Sequence, residues 1–380
     1  MIYKLPRLDG TELEAIGKIN DIRKRLKFLL QVPTRWTGFL RRNMIAKAIQ
    51  GSNTIEGYNV TFEEAVAVVE GEDVDIASET RRALEGYRQA LTYILRIAGD
   101  PHVTINEELI RALHYMMLSY DLKKHPGQWR PGQIFVRREP SGEKVYEGPE
   151  ADLVPVLMHE LLDSINNAPD EEPSIARAAM AHLNMVMIHP FSDGNGRMGR
   201  TLQTLILARD GILEQPFSSI EEYLGSRGNT DDYYSVLGQV GHGRWSPSND
   251  ARPWLRFCLK AHLQQANTLE RRVREIARLF DELEAEAARR KLPERVTNAL
   301  YEACIGLRVK SARYSVQADI SAPVAAKDLK RLCDEGLLEP RGEKRGRTYV
   351  RSSLLLQIWD SVREPKTKAD EVFMRQLDLF

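Results

Sequence analysis

His189-Pro190-Phe191-Ser192-Asp193-Gly194-Asn195-Gly196-Arg197-Met198-Gly199-Arg200 stands between two apolar runs, Met185-Val186-Met187-Ile188 before it and Leu202 with Leu205-Ile206-Leu207 after it. The runs read as two buried helices, which puts the polar residues at a helix–helix junction. A helix starting near Asn195 or Gly196 presents unpaired N–H groups and the positive end of its dipole, the natural seat of an anion. Gly194 and Gly196 permit left-handed backbone angles and close approach of a ligand. Asn195 adds an amide donor, and Arg197 and Arg200 share a helix face that suits adjacent phosphates. Asp193 is a lone carboxylate amid positive charge, and it fits a Mg²⁺ ligand, because Mg²⁺ takes one or two carboxylates together with phosphate oxygens. His189 is then left as a base for a hydroxyl nucleophile near neutral pH. Singly, these residues read as a core histidine, a turn and a solvated basic face; in this order they predict a phosphate-chain site. The pattern is not a P-loop, whose Gly-Lys-Ser/Thr ending is absent.

The segment resembles the signature of the Fic (Fido) family, His-Pro-Phe-x-Asp/Glu-Gly-Asn-Gly-Arg-x-x-Arg, at every specified position. The resemblance implies a mostly α fold, a Fic-type helical core with a small β-hairpin flap. That core would bind ATP with Mg²⁺ and transfer AMP to a Ser, Thr or Tyr hydroxyl of a target protein or of the chain itself. Carried over by residue, His189 is the general base and Asp193 the metal ligand. Gly194, Asn195, Gly196 and Gly199 line the α-phosphate cradle, and Arg197 and Arg200 clamp the outer phosphates. Two alternatives stay open: removal of AMP from a modified protein by the same site, and a DNA-binding regulator that senses nucleotide.

Upstream, Ser52-Asn53-Thr54-Ile55-Glu56-Gly57 follows a helical stretch. By itself it fits an ordinary helix end closed by glycine. Beside the downstream signature it resembles the family's inhibitory pattern, Ser/Thr-x-x-x-Glu-Gly/Asn, which implies that Ser52, Glu56 and Gly57 form a brake in which Glu56 competes for Arg200.

Ile134-Phe135-Val136-Arg137 and Lys144-Val145-Tyr146 flank a Pro/Gly turn and predict a hairpin, which is similar to the family's target-aligning flap. Tyr233 and Tyr234 fall where the family places its base pocket. On a helix they point about 100° apart, so at most one faces the base; Tyr233 is the candidate. His182 reads as a satisfied core histidine, with no third metal ligand at suitable spacing.

Fifty-four basic and fifty-four acidic residues leave no net charge to steer the chain toward nucleic acid. No apolar run suffices for a membrane span and no signal core opens the chain. Cys258, Cys304 and Cys333 show no paired spacing, which fits a reducing cytoplasm. The expected organisation is an N-terminal helical region at 1–104 with the brake at 52–57, the catalytic core at 105–263, a connecting helix at 264–292, a module at 293–363 and a tail at 364–380. In the module, helices around Val296 to Ala303, Ser311 to Ala318 and Ser321 to Gly336 precede two β-prone runs about a basic turn. This resembles a winged helix-turn-helix domain, with DNA or a docking protein as its partner and Lys344, Arg345 and Arg347 as phosphate contacts. A homo-oligomer is compatible with these readings.

Overall fold

The computed structural model describes all residues except 32–33, 139, 212, 214, 344–345 and 366–380 and, for side chains, 215–216. The chain is mostly helical and divides into two compact units, one from Met1–Pro33 and Arg41–Asn267, the other from Thr34–Leu40 and Thr268–Lys366.

The first unit holds α1 (Gly10–Gln31), most of α2 (Thr37–Ile55), α3 (Phe62–Glu70), α4 (Ser78–Ile97), α5 (Glu107–Leu118), the hairpin β1 (Phe135–Arg138) and β2 (Glu143–Glu147), α6 (Val154–Asn166), α7 (Ser174–Ile188) and α8 (Asn195–Arg209). The short α9 (Gln215–Ser218) and α10 (Glu221–Leu224), then α11 (Arg227–Gly241) and the first half of α12 (Arg252–Arg289), complete it. Helices α7 and α8 are its centre. Leu183, Met185 and Ile188 on one and Met198, Leu202 and Leu205 on the other are buried, as expected of helices apolar on nearly every face. A Cβ at Gly199 would come within 2.6 Å of His182 Cδ2 and 3.0 Å of Val186 Cγ2, so this glycine lets the two helices touch. Gly199, expected in the phosphate cradle, is a helix-packing residue instead.

Local signals start the peripheral helices. Thr61 and Glu64 form a reciprocal capping box at α3, and Asn106 accepts from the Leu109 N–H at α5. The hairpin pairs Phe135 with Glu147 and Arg138 with Glu143, with a bulge after Val136. The Tyr146 hydroxyl donates to the Met187 carbonyl at 2.7 Å, which fastens the hairpin beside the end of α7. Apart from Thr34–Leu40, residues 1–104 share this one unit with 105–263, from which the expected organisation separated them. Helix α12 starts at Arg252, well before the expected connecting helix, because nothing between there and Arg289 breaks it.

The second unit holds the rest of α12, then α13 (Val296–Cys304), β3 (Val309–Lys310), α14 (Ser311–Gln317), α15 (Ala322–Asp334), β4 (Leu338–Arg341), β5 (Thr348–Arg351) and α16 (Ser353–Val362). The strands form an antiparallel sheet in the order β3-β5-β4. Asp328 on α15 is only 6% exposed and is held by Arg295 at 2.7 and 3.0 Å and by the Tyr314 hydroxyl at 3.0 Å. Lys344, Arg345 and the end of the tail lie outside the described residues. Among the described residues no helix is long and apolar enough to cross a membrane.

Candidate active site

Helix α7 stops at His189, whose backbone is left-handed (φ 52°, ψ 57°) and whose N–H still donates to the Met185 carbonyl. Pro190 forbids continuation. The His189 ring nitrogen Nδ1 lies 3.0 Å from the Val186 carbonyl. A carbonyl only accepts, so Nδ1 carries the proton and Nε2 keeps its lone pair. Burial lowers the imidazole's pKa, and the Arg130 charge adds to this against the opposing Val186 hydrogen bond, so His189 is neutral near pH 7 and poised as a base.

The turn from His189 to α8 is cross-braced from within. The Asn195 side chain accepts from the Phe191 N–H and donates to the Phe191 carbonyl, each at 2.9 Å. Its amide oxygen and one of its two amide N–H groups thus brace the loop, a role the sequence did not show, and Asn195 also stands at the N-terminus of α8. Gly194 sits before α8 with φ 77°, and among the described residues no side chain caps that end. The first N–H groups of α8 remain open to an anion.

Arg197 and Arg200 project from the first turns of α8, each 1% exposed. Nε and Nη1 of Arg197 and Nη1 of Arg200 lack hydrogen-bond partners among the described residues. Buried donors without acceptors are costly, and an anion satisfies them. Arg200 is otherwise held by the upstream segment. Its Nε donates to Ser52 Oγ at 2.8 Å, and its Nη2 donates to the Ser52 carbonyl at 3.1 Å and to Glu56 Oε1 at 2.7 Å. Gly57 (φ 86°) ends the helix just beyond, so the glycine has the helix-stop role while Glu56 reaches the site. A Cβ at Gly196 would lie 2.6 Å from Glu56 Oε1, which places that carboxylate against the start of α8.

Asp193 accepts from the Gly194 N–H at 2.6 Å and pairs with Lys124 Nζ at 2.8 Å. Burial raises its pKa, but Lys124, Arg197 and the Gly194 N–H outweigh this and leave it below the ordinary carboxylate value. Among the described residues there is no cluster of three His, Cys, Asp or Glu side chains that could hold a metal. Asp193 alone fits a cation whose other ligands are phosphate oxygens.

Tyr233 is buried, 2% exposed, with its hydroxyl 3.1 Å from His182 Nε2 and its ring among Tyr234, Trp254 and Phe257. It belongs to the core and not to an open base pocket. Its neighbour Tyr234 is 51% exposed and donates to the Ile55 carbonyl at 3.1 Å, next to Glu56. His182 is hydrogen-bonded at both nitrogens, to Gln203 and Tyr233, and burial pushes its pKa down to about 3.

The sequence did not single out three residues that shape the loop. His114 accepts from the Gly127 N–H, donates to the Asp193 carbonyl at 3.0 Å and stacks on Phe191 with 3.7 Å between ring centroids. Its spacing on the buried face of α5, four after Ile110, was the available signal. Lys124 and the buried Arg130 had none.

Residues 104–207 match the model of the Fic/DOC family, a span that includes α5, the hairpin, α7 and most of α8. Curated relatives include Protein adenylyltransferase Fic of Nematostella vectensis, 28% identical over 268 residues, which are 67% of this chain and 55% of that protein. Another is Protein adenylyltransferase fic-1 of Caenorhabditis elegans, 25% identical over 262 residues, or 67% and 46% of the two chains. The chain spans about half the length of these relatives. Among solved structures, a Fic family protein from Desulfovibrio desulfuricans aligns with a TM-score of 0.59 at 24% identity, covering 92% of this chain and 99% of its own. A Fic domain containing signaling protein from Bacteroides thetaiotaomicron aligns at 0.56 and 23%, covering 68% and 96%. Residues 104–207 of this chain are a Fic/DOC-family domain.

Proposed function

We propose that this site transfers AMP from ATP to a hydroxyl side chain of a protein and that Glu56 holds it off. The observation that carries the reading is the state of the two buried arginines: Arg197 has donors without acceptors, and Arg200 is occupied by Ser52 and Glu56. The names of the relatives support the reaction. His189 Nε2 takes the proton of a Ser, Thr or Tyr hydroxyl as its oxygen bonds to the α-phosphorus, and the bond from that phosphorus to pyrophosphate breaks. The N-terminus of α8 and Arg197 stabilise charge gathering on the phosphates. Asp193 would hold Mg²⁺, which when bound neutralises phosphate charge.

Incubation of wild type and Glu56→Gly with α-labelled ATP tests the reading. Labelled protein from the variant alone supports it. Label made by the variant and stripped by wild type assigns AMP removal to the same site, and no label from either leaves a nucleotide sensor.

Gly51 supplies an independent test of the brake. A Cβ there would overlap the backbone carbonyl of Glu221, because α2 crosses α10 at a glycine seam where Gly51 Cα lies 2.5 Å from a Cβ built on Gly225. Gly51→Ala must move the last turn of α2 and with it Ser52. The variant is expected to label protein above wild type with Glu56 intact. Overpacking of this kind costs ~1–3 kcal/mol, so its melting temperature is expected to fall by several degrees. A lower melting temperature with wild-type labelling would separate this seam from the brake.

For the second unit we infer a winged-helix-like module that contacts duplex DNA. The observation favouring this over protein docking is that Asp328 turns inward onto Arg295, which leaves Lys327 and Lys330 exposed on α15. Binding to random duplex that weakens steeply with salt is the expected result; a target complex lost on deleting 293–380, with no duplex binding, points to docking.

A further inference from the structure

Arg130 lies outside the signature loop, yet it is 4% exposed and wholly engaged by backbone. Its Nε donates to the His189 carbonyl at 2.8 Å, its Nη1 to the Gly132 carbonyl at 2.6 Å and its Nη2 to the Pro149 carbonyl at 2.5 Å. Its own N–H donates to the Pro190 carbonyl at 2.8 Å. Gly132 precedes β1 and Pro149 follows β2, so one planar guanidinium joins both feet of the hairpin to the carbonyl of the base. Gly148 lies alongside: a Cβ there would be in ordinary contact with Nη2 at 3.5 Å but only 2.8 Å from the Ile134 side chain.

Two physical facts give this arrangement a purpose beyond packing. A histidine at positive φ directly before a proline is in a disfavoured conformation and persists only where its surroundings over-determine it. The bonds to the His189 and Pro190 carbonyls supply that determination by fixing the 189–190 and 190–191 peptide planes. Burying a cation is also unfavourable unless its donors are matched, and a fork-shaped group with several fixed donors can meet three carbonyls in one plane where an ammonium cannot.

We propose that Arg130 is a positioning residue that holds the His189 base and the hairpin in one register, so that a hydroxyl presented along the hairpin meets Nε2. The proposal rests on the AMP-transfer reading, with the hairpin as the element that aligns the protein substrate. Arg130 touches neither reacting atom; it acts through His189 and through the hairpin.

The test uses Glu56→Gly as the active parent, with Arg130→Gln and Arg130→Lys added singly. Arg130→Gln is expected to lower kcat ~10²-fold, the scale of a misplacement near 1 Å, while binding of a fluorescent ATP analogue stays at the parent value. Arg130→Lys, which keeps the charge but gathers its donors on a single nitrogen, is expected to recover part of that loss. Amide hydrogen exchange is expected to rise in Arg130→Gln across 134–147 and to stay at the parent level in α7 and α8. Parent-level kcat in Arg130→Gln would overturn the proposal. So would loss of analogue binding together with faster exchange throughout the unit, since Arg130 would then be a general structural residue. If Glu56→Gly itself labels nothing, the AMP-transfer reading fails, and the hairpin exchange result still decides whether Arg130 ties hairpin to loop.

Discussion

His189→Ala is expected to lower AMP transfer ~10²–10⁴-fold, the range associated with loss of a positioned general base. The tautomer of His189 decides which nitrogen can act. Nδ1 donates to the Val186 carbonyl, so the lone pair stands on Nε2, the atom free to take a proton. Alanine removes that nitrogen and changes little else. The φ of 52° suits alanine less well than histidine, but the bond from Arg130 that holds this turn goes to the backbone carbonyl, which the substitution retains. Arg197, Arg200 and the N-terminus of α8 are untouched, so nucleotide binding is expected to persist. The comparison is Glu56→Gly against Glu56→Gly/His189→Ala, with label from α-labelled ATP and analogue binding both read. Equal labelling would remove His189 from the mechanism.

The pH profile gives a second readout of the same residue. Burial, aided by Arg130, places the imidazole's pKa below its ordinary value of ~6.5. The active form is the neutral one, so activity should rise with pH through that lowered value and be level by neutrality. A limb centred at or above ~6.5 would mean that the base is solvated and cationic under working conditions.

What the sequence revealed followed from how its chemistry is laid out along the chain. The residues from His189 to Arg200 are contiguous, and each carries a side chain whose chemistry can be read without knowing its neighbours. Glu56 was legible for the same reason, as a short local pattern. Arg130, His114 and Lys124 were not, because they serve the loop from 59, 79 and 69 residues away, and two of them bond to backbone carbonyls, which leave no trace in residue identity. Asn195 was read as a donor to ligand; only the folded turn shows that its amide closes on Phe191 four residues earlier. With Tyr233 and Tyr234, helical geometry showed that one of the two faces inward, but Trp254 and Phe257, from a helix further along, decide which. Gly199 failed similarly: a glycine serves phosphate or a neighbouring helix equally well, and here it faces His182. In the second unit the helices followed from their apolar spacing, whereas β3, at two residues, is too short to carry a periodic signal.

Glu56→Gly is expected to raise AMP transfer by ~10²-fold or more, because a substrate misplaced by about 1 Å loses that much and the proposed brake acts by such a misplacement. The pair at 2.7 Å joins an arginine that is 1% exposed to a carboxylate whose own side chain is 21% exposed. With Arg200 Nε and Nη2 already engaged by Ser52, Glu56 supplies the one carboxylate in ion-pair contact with this guanidinium among the described residues, while the buried Glu221 feels its charge from further off. Removing it leaves a buried cation short of an anion, a loss of up to ~3–5 kcal/mol for a fully buried pair and less here, where the acid is partly wet. Bound nucleotide restores the missing negative charge. The variant should therefore melt lower than wild type without ligand and be raised more by ATP, since a ligand that binds only the folded state stabilises by RT ln(1 + [L]/Kd). Glu56→Gln, which keeps a hydrogen-bond acceptor and drops the charge, should fall between the two in both labelling and ATP-induced melting shift. Should Glu56→Gly match wild type in both, Glu56 would be no more than the residue before the helix-ending Gly57, and the grip of Ser52 on Arg200 would have to account for any restraint on the site.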